Sequence, residues 1–153
     1  MTDAVRRRVH GHQCIYCGEP SDSDEHFPPK SVNDLGLLLP CCRECNSFAG
    51  TEWSFDFEMR VGYVKAKLRK RYRRFLETPE WSDDELSELE PVLRASCRGA
   101  RLQRDLAIER LAWNPDSYLA SLGEETTMAD LAAVIDAATL TGDQDAASMP
   151  RVR

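Results

Sequence analysis

No run of apolar residues in this chain approaches the roughly 20 needed to cross a bilayer. Its start, Met1 to Arg8, ends in three consecutive arginines and lacks the hydrophobic stretch of a signal peptide. These absences argue against a membrane protein and a secreted one. They point to a reducing compartment, the cytosol of a bacterium or a phage-infected host, with no membrane partner. Apolar residues are also modest in number, 42% of 153, against 30% charged, so the expected core is small and a metal staple would help the chain fold. There is no internal repeat, because the two cysteine pairs have different flanks.

What the chain does have is six cysteines, four of them paired by spacing as Cys14-x2-Cys17 and Cys42-x2-Cys45. In a reducing compartment such pairs bind metal more often than they form disulfides, and four thiolates suit one tetrahedral structural zinc. Cys41 and Cys97 are left unassigned. Between the pairs stand Glu25 and His26, and Asn46 directly follows the last cysteine; a carboxylate, an imidazole and a carboxamide offer a second, harder cation its ligands.

Net charge is -6, yet the distribution is uneven. From Arg60 to Arg74 there are eight cations and no acid, whereas the region after Asp116 is acid-rich. Like charges at i,i+4 repel by a few tenths of a kcal/mol per pair, so something acidic is expected opposite. Nucleic-acid phosphate is one answer, through Lys65, Lys67, Arg69, Lys70, Arg71, Arg73 and Arg74; the chain's own cluster at Asp83, Asp84, Glu85 and Glu88 is the other.

Turn formers fill residues 1–51, predicting knuckles, short strands and loops, with a short helix whose first turn carries the second cysteine pair. Phe57, Val61, Val64, Leu68, Tyr72 and Phe75 recur at three- and four-residue steps, predicting one amphipathic helix over 55–76 that ends at Pro79. Ser82 with Glu85 reads as a capping box and Pro91 as a break. Leu93, Cys97, Leu102, Leu106 and Leu111 suggest a further apolar face, interrupted near Gly99. Residues 115–122 read as a short helix, Thr127 as the cap of another containing Met128, Leu131, Ile135 and Ala138, and 142–153 as a tail with nothing to bury. The fold class is α+β, mostly α: a zinc-stapled core over 1–51, a helical extension over 52–141 and the tail.

The stretch from Cys14 to Thr51 resembles the HNH, or ββα-metal, nucleases, and within them the recombination endonuclease VII group. The likeness rests on the Cys14/Cys17 knuckle, Glu25-His26 followed by Pro28, the approach Gly36-Leu37-Leu38-Leu39, and Cys42-Arg43-Glu44-Cys45-Asn46 with Gly50 four residues on. It implies a ββα-metal core and an endonuclease hydrolysing DNA phosphodiesters. Glu25 and Asn46 would then hold a catalytic magnesium or manganese ion, and His26 would activate water. Relatives of that group act on branched DNA as dimers, which leaves a homodimer open.

The chain departs from the pattern at Glu25, where the family usually has aspartate, and it lacks the full HNH triad. Regular strand alternation would turn Glu25 and His26 to opposite faces, and Asp22 and Asp24 are competing carboxylates. Other roles stay open: a structural or zinc-ligating histidine for His26, a turn or capping amide for Asn46. A catalytically inactive HNH-like zinc module that binds nucleic acid or a protein partner is the alternative function.

Overall fold

The computed structural model describes residues 7–30, 36–50 and 56–123 of the chain. The Thr127-capped helix and the tail lie outside the described residues. The fold is mixed α+β, with a small three-stranded sheet and a predominance of helix.

The sheet holds β1 (Arg7–Arg8), β2 (Ser23–Phe27) and β3 (Leu37–Cys41) in the order β1-β3-β2. β2 and β3 are antiparallel, with Glu25 opposite Leu39 and Phe27 opposite Leu37, and β1 runs parallel to β3. Alternation puts Glu25 and Phe27 with Leu37, Leu39 and Cys41 on the buried face. Cys42 ends the hairpin and caps α1 (Arg43–Ala49), its sulfur accepting from the Cys45 amide at 3.4 Å. The chain thus runs strand, strand, helix through the second cysteine pair.

α2 (Phe57–Arg71) starts at Asp56, whose side chain caps the Met59 amide, and buries Phe57, Arg60, Val64 and Leu68. Phe57, Val64 and Leu68 of the expected stripe are buried and Val61, Tyr72 and Phe75 half-buried, with Arg60 added to the buried face, but the single helix over 55–76 divides. Tyr72 adopts φ -98° and ψ 11°, and only a one-turn α3 (Arg73–Leu76) follows. The Tyr72 hydroxyl donates to Glu44 and receives Arg110, contacts that hold the side chain over α1 where the helix breaks. α2 packs on α1, and Phe57 meets Phe27 edge-on with centroids 5.2 Å apart.

The Ser82–Glu85 capping box is present at α4 (Asp83–Ser87), and its Leu86 is fully buried. Pro91 starts α5 (Pro91–Ala112) instead of breaking a helix, since a first-turn residue has no intrahelical partner for the missing N–H. α5 runs through Gly99, because the roughly 1 kcal/mol cost of one glycine does not outweigh a 22-residue helix with tertiary contacts. Its packing differs from the expected leucine face. Cys97, Ala107 and Arg110 are buried, while Leu93, Leu102 and Leu106 are exposed. α6 (Pro115–Ser121) then returns Tyr118 and Leu119 to the core formed by the cysteine segment and α2.

Gly18, at φ +75°, closes the first knuckle, its amide bonding the Cys14 carbonyl at 3.0 Å. A Cβ there would run into the Trp113 ring. Gly18→Ala therefore combines left-handed strain of about 1–2 kcal/mol with displacement of Trp113. Chemical denaturation should show that loss or more, together with a changed tryptophan emission.

Candidate metal centre and adjoining cleft

The two CxxC pairs converge. Sulfur atoms of Cys14, Cys17, Cys42 and Cys45 all lie within 4.8 Å of one another, and all four residues are buried. A zinc–sulfur bond of about 2.3 Å implies a tetrahedron with edges of about 3.8 Å, and the Cys17–Cys42 separation is 3.7 Å. One pair comes from the knuckle and the other from the cap and first turn of α1, so the site joins loop to helix. The four thiols can hold a zinc ion.

Four thiolates around a dication leave an excess of negative charge, and nearby donors meet it. Arg110 of α5 places Nη2 at 3.5 Å from the Cys17 sulfur and 2.7 Å from Glu44, and Nη1 at 2.9 Å from the Tyr72 hydroxyl. Desolvation pulls the Arg110 pKa down, but Glu44 and Cys17 together hold it above the ordinary arginine value. Nothing in the sequence around Arg110 marks it for this position. Cys41 is buried with its sulfur 3.9 Å from that of Cys14, yet it stands outside the four-sulfur group.

Beside this centre lies a cleft of about 170 Å³, lined by Glu25, His26, Pro29, Lys30, Asn46, Gly50 and Arg60. Glu25 and His26 obey alternation along β2, one buried and the other half-buried, yet both border this space. Asn46 reaches it from α1. Its Nδ2 donates to the Asp24 carbonyl and the Ser23 hydroxyl, each at 3.2 Å. Since a carbonyl can only accept, these bonds fix the amide orientation and leave Oδ1 as the group available for a ligand. The competing carboxylates are engaged elsewhere: Asp22 accepts from the Arg43 amide at 2.9 Å, and Asp24 pairs with Arg8.

Glu25 differs from an open metal ligand. It is 1% exposed and paired with the equally buried Arg60, whose Nε donates to Oε1 at 2.5 Å and whose Nη2 also reaches Oε1. Burial pushes the Glu25 carboxyl above its ordinary value, against the pull of Arg60 and a further contribution from Tyr16. Oε2 is buried without a hydrogen-bond partner, as is the Tyr16 hydroxyl. Arg60 had been one cation of the basic run. The signal that separates it is position: it lies on the stripe Phe57, Arg60, Val64, Leu68, and an arginine on an apolar face requires a buried acid.

The basic segment is less uniform than its composition. Lys65 donates to the carbonyls of Leu111 at 2.9 Å and of Trp113, at the end of α5, and burial followed by the Arg69 charge pulls its pKa down. Lys67 lies 5.3 Å over the Tyr63 ring, Arg71 pairs with Glu44, and Arg73 with Glu77. Arg69, Lys70 and Arg74 have no ion-pair partner among the described residues. Of the acidic cluster, Asp83 pairs with Arg101 of α5 and Glu85 closes the capping box, and none of its members is ion-paired with the basic segment among the described residues. Comparison with known proteins finds no matching family model, curated protein or solved structure. Among the described residues, no helix is long and apolar enough to cross a membrane.

Two outcomes follow. Purified protein should carry about one zinc per chain by elemental analysis; Cys42→Ser should lose it and Cys41→Ser should keep it. Arg60→Ala, which strands a buried carboxylate, should cost about 3–5 kcal/mol in denaturant titration, while replacing both partners by apolar residues (Glu25→Leu with Arg60→Met) should recover much of that loss.

Proposed function

We propose that the protein is an HNH-like endonuclease that hydrolyses DNA phosphodiester bonds beside a structural zinc. The observation that carries this reading is the cleft itself, where Glu25 and His26 of β2 meet Asn46 of α1 next to the four-cysteine centre. The strand–strand–helix order of β2, β3 and α1 agrees with a ββα-metal core. In this reading His26 takes a proton from water at neutral pH, a role worth about 10²- to 10⁴-fold.

The lining of the cleft offers a hard dication two oxygen-bearing groups, the Glu25 carboxylate and the Asn46 carboxamide. A magnesium or manganese ion held there would supply positive charge to the scissile phosphate. Arg60 keeps the Glu25 carboxylate in place through Oε1, and Lys30 at the rim adds a charge suited to phosphate. Arg69, Lys70 and Arg74 are the cations best placed to meet the nucleic-acid backbone, with Lys67, Arg71 and Arg73 partly occupied. Lys65 serves α5 instead.

One observation favours a second reading, an inactive module that binds nucleic acid or a protein. Glu25 already has a full-charge partner in Arg60, which competes with a cation for it.

Supercoiled plasmid and branched DNA incubated with the protein and magnesium or manganese should be cleaved, and His26→Ala should reduce the rate by at least 10²-fold while retaining zinc. Absence of cleavage across both metals and substrates rules in favour of the binding module. In a binding titration against salt, neutralising Arg69, Lys70 and Arg74 together should reduce the log–log slope by about 0.9 per lost phosphate contact on duplex DNA. An unchanged slope would remove this face from the interface.

A further inference from the structure

Between α1 and α2 runs a groove that neither the cleft nor the core uses. Its volume is about 510 Å³, and it is lined by Ser47 and Phe48 of α1 and by Tyr63, Lys67, Lys70 and Arg71 of α2. Phe48 and Tyr63 rest on the core but are only half-buried, so part of each side chain stays open to solvent. Steps of three and four put Tyr63, Lys67 and Lys70 on one face of α2. The Lys67 ammonium lies 5.3 Å over the Tyr63 ring, Lys70 has no ion-pair partner among the described residues, and Arg71 has a 3.6 Å contact with Glu44.

We propose that this groove takes an unpaired nucleobase against Phe48 and Tyr63, with Lys67, Lys70 and Arg71 on the phosphates beside it. Aromatic rings bind the faces of bases and cations bind phosphate, the combination by which proteins hold single strands. In a duplex, or in a fully paired branch, the faces of each base are covered by its neighbours. A groove of this composition therefore selects nucleic acid that is single-stranded or locally unpaired. A phosphate in the cleft belongs to the nuclease reading, on which this proposal rests; the groove adds the form of the substrate.

Placement favours a nucleic acid over an acidic peptide. Groove and cleft are neighbours on both helices: on α1, Asn46 and Gly50 line the cleft and Ser47 and Phe48 the groove, while on α2 Arg60 lines the cleft and Tyr63 the groove. Three residues of helix advance about 4.5 Å, so a strand with a phosphate in the cleft carries the adjoining base to the groove. An acidic peptide has no such reason to continue from the cleft. A second hollow, of about 580 Å³, also borders Lys70, but its lining has no aromatic ring among the described residues and includes Glu77, whose charge repels phosphate.

Fluorescence anisotropy of the full, zinc-loaded chain without added magnesium should show an oligothymidylate of about ten nucleotides binding at least about fivefold tighter than an abasic strand of equal length. A duplex with a central loop of unpaired thymidines should likewise bind tighter than its fully paired counterpart. Phe48→Leu and Tyr63→Leu keep an apolar side chain but remove the ring, and each should remove most of both preferences while leaving the affinity for the abasic strand in place. Lys67→Gln with Lys70→Gln should weaken oligothymidylate and abasic strand alike. Circular dichroism and zinc content check that each variant stays folded. Equal affinity for the two strands, a preference that survives both leucine variants, or capture of a glutamate-rich peptide bearing one phenylalanine in place of either strand overturns the proposal. Plasmid cleavage with magnesium is scored separately: base-dependent binding without cleavage supports the groove and counts against the nuclease reading, and cleavage with base-indifferent binding does the reverse.

Discussion

Everything around the sheet depends on the convergence of four buried thiols. Two come from a knuckle closed by Gly18 and two from the cap and first turn of α1, so a single centre fixes the loop, the end of β3 and the helix relative to one another. A core this small has few other means of doing so. The thiols also set an electrostatic condition, since gathered thiolates need positive charge and N–H donors around them. Arg110 meets part of that condition from α5, and by binding Glu44 and Tyr72 as well it attaches the helical part of the chain to the four-cysteine group.

A second buried charge contact organises the C-terminal end of α1. Arg60 spans from α2 to Glu25 on β2 and to the Gly50 carbonyl at the end of α1, at 3.3 Å. Removing water from such a pair has a cost that good geometry must offset. Here the geometry is one-sided, with Nε and Nη2 of Arg60 both on Oε1. The two contacts leave the basic segment divided: Arg60 and Lys65 hold the fold, and Arg69, Lys70 and Arg74 remain on the surface.

Legibility differed by the range of the interaction. Helix-starting chemistry is local, so the Ser82–Glu85 box, the helix that carries the second cysteine pair and the short helix after Asn114 could be read from neighbouring residues. The stripe from Phe57 to Leu68 was equally clear. Its end at Tyr72 was not, because Glu44 and Arg110 hold that side chain from 28 and 38 residues away. Leu93, Leu102 and Leu106 misled for a related reason: hydrophobic spacing states which residues share a face but not whether the fold covers it. Gly99, a weak helix residue, lies within a helix that its neighbours sustain.

By itself the sequence determined the four-thiol group, the small core and the mixed α+β class, because ligand spacing, composition and strand or helix periodicity are properties of neighbouring residues; the candidate set Glu25, His26 and Asn46 came from the resemblance. Only the tertiary structure decided the partners of charge. It gave Glu25 to Arg60, Glu44 to Arg110 and Asp83 to Arg101, so that the acidic cluster does not neutralise the basic segment. Coulomb attraction inside a protein acts between groups that folding brings within a few ångströms, and residues 35 or 66 positions apart carry no mark of that meeting in their local sequence.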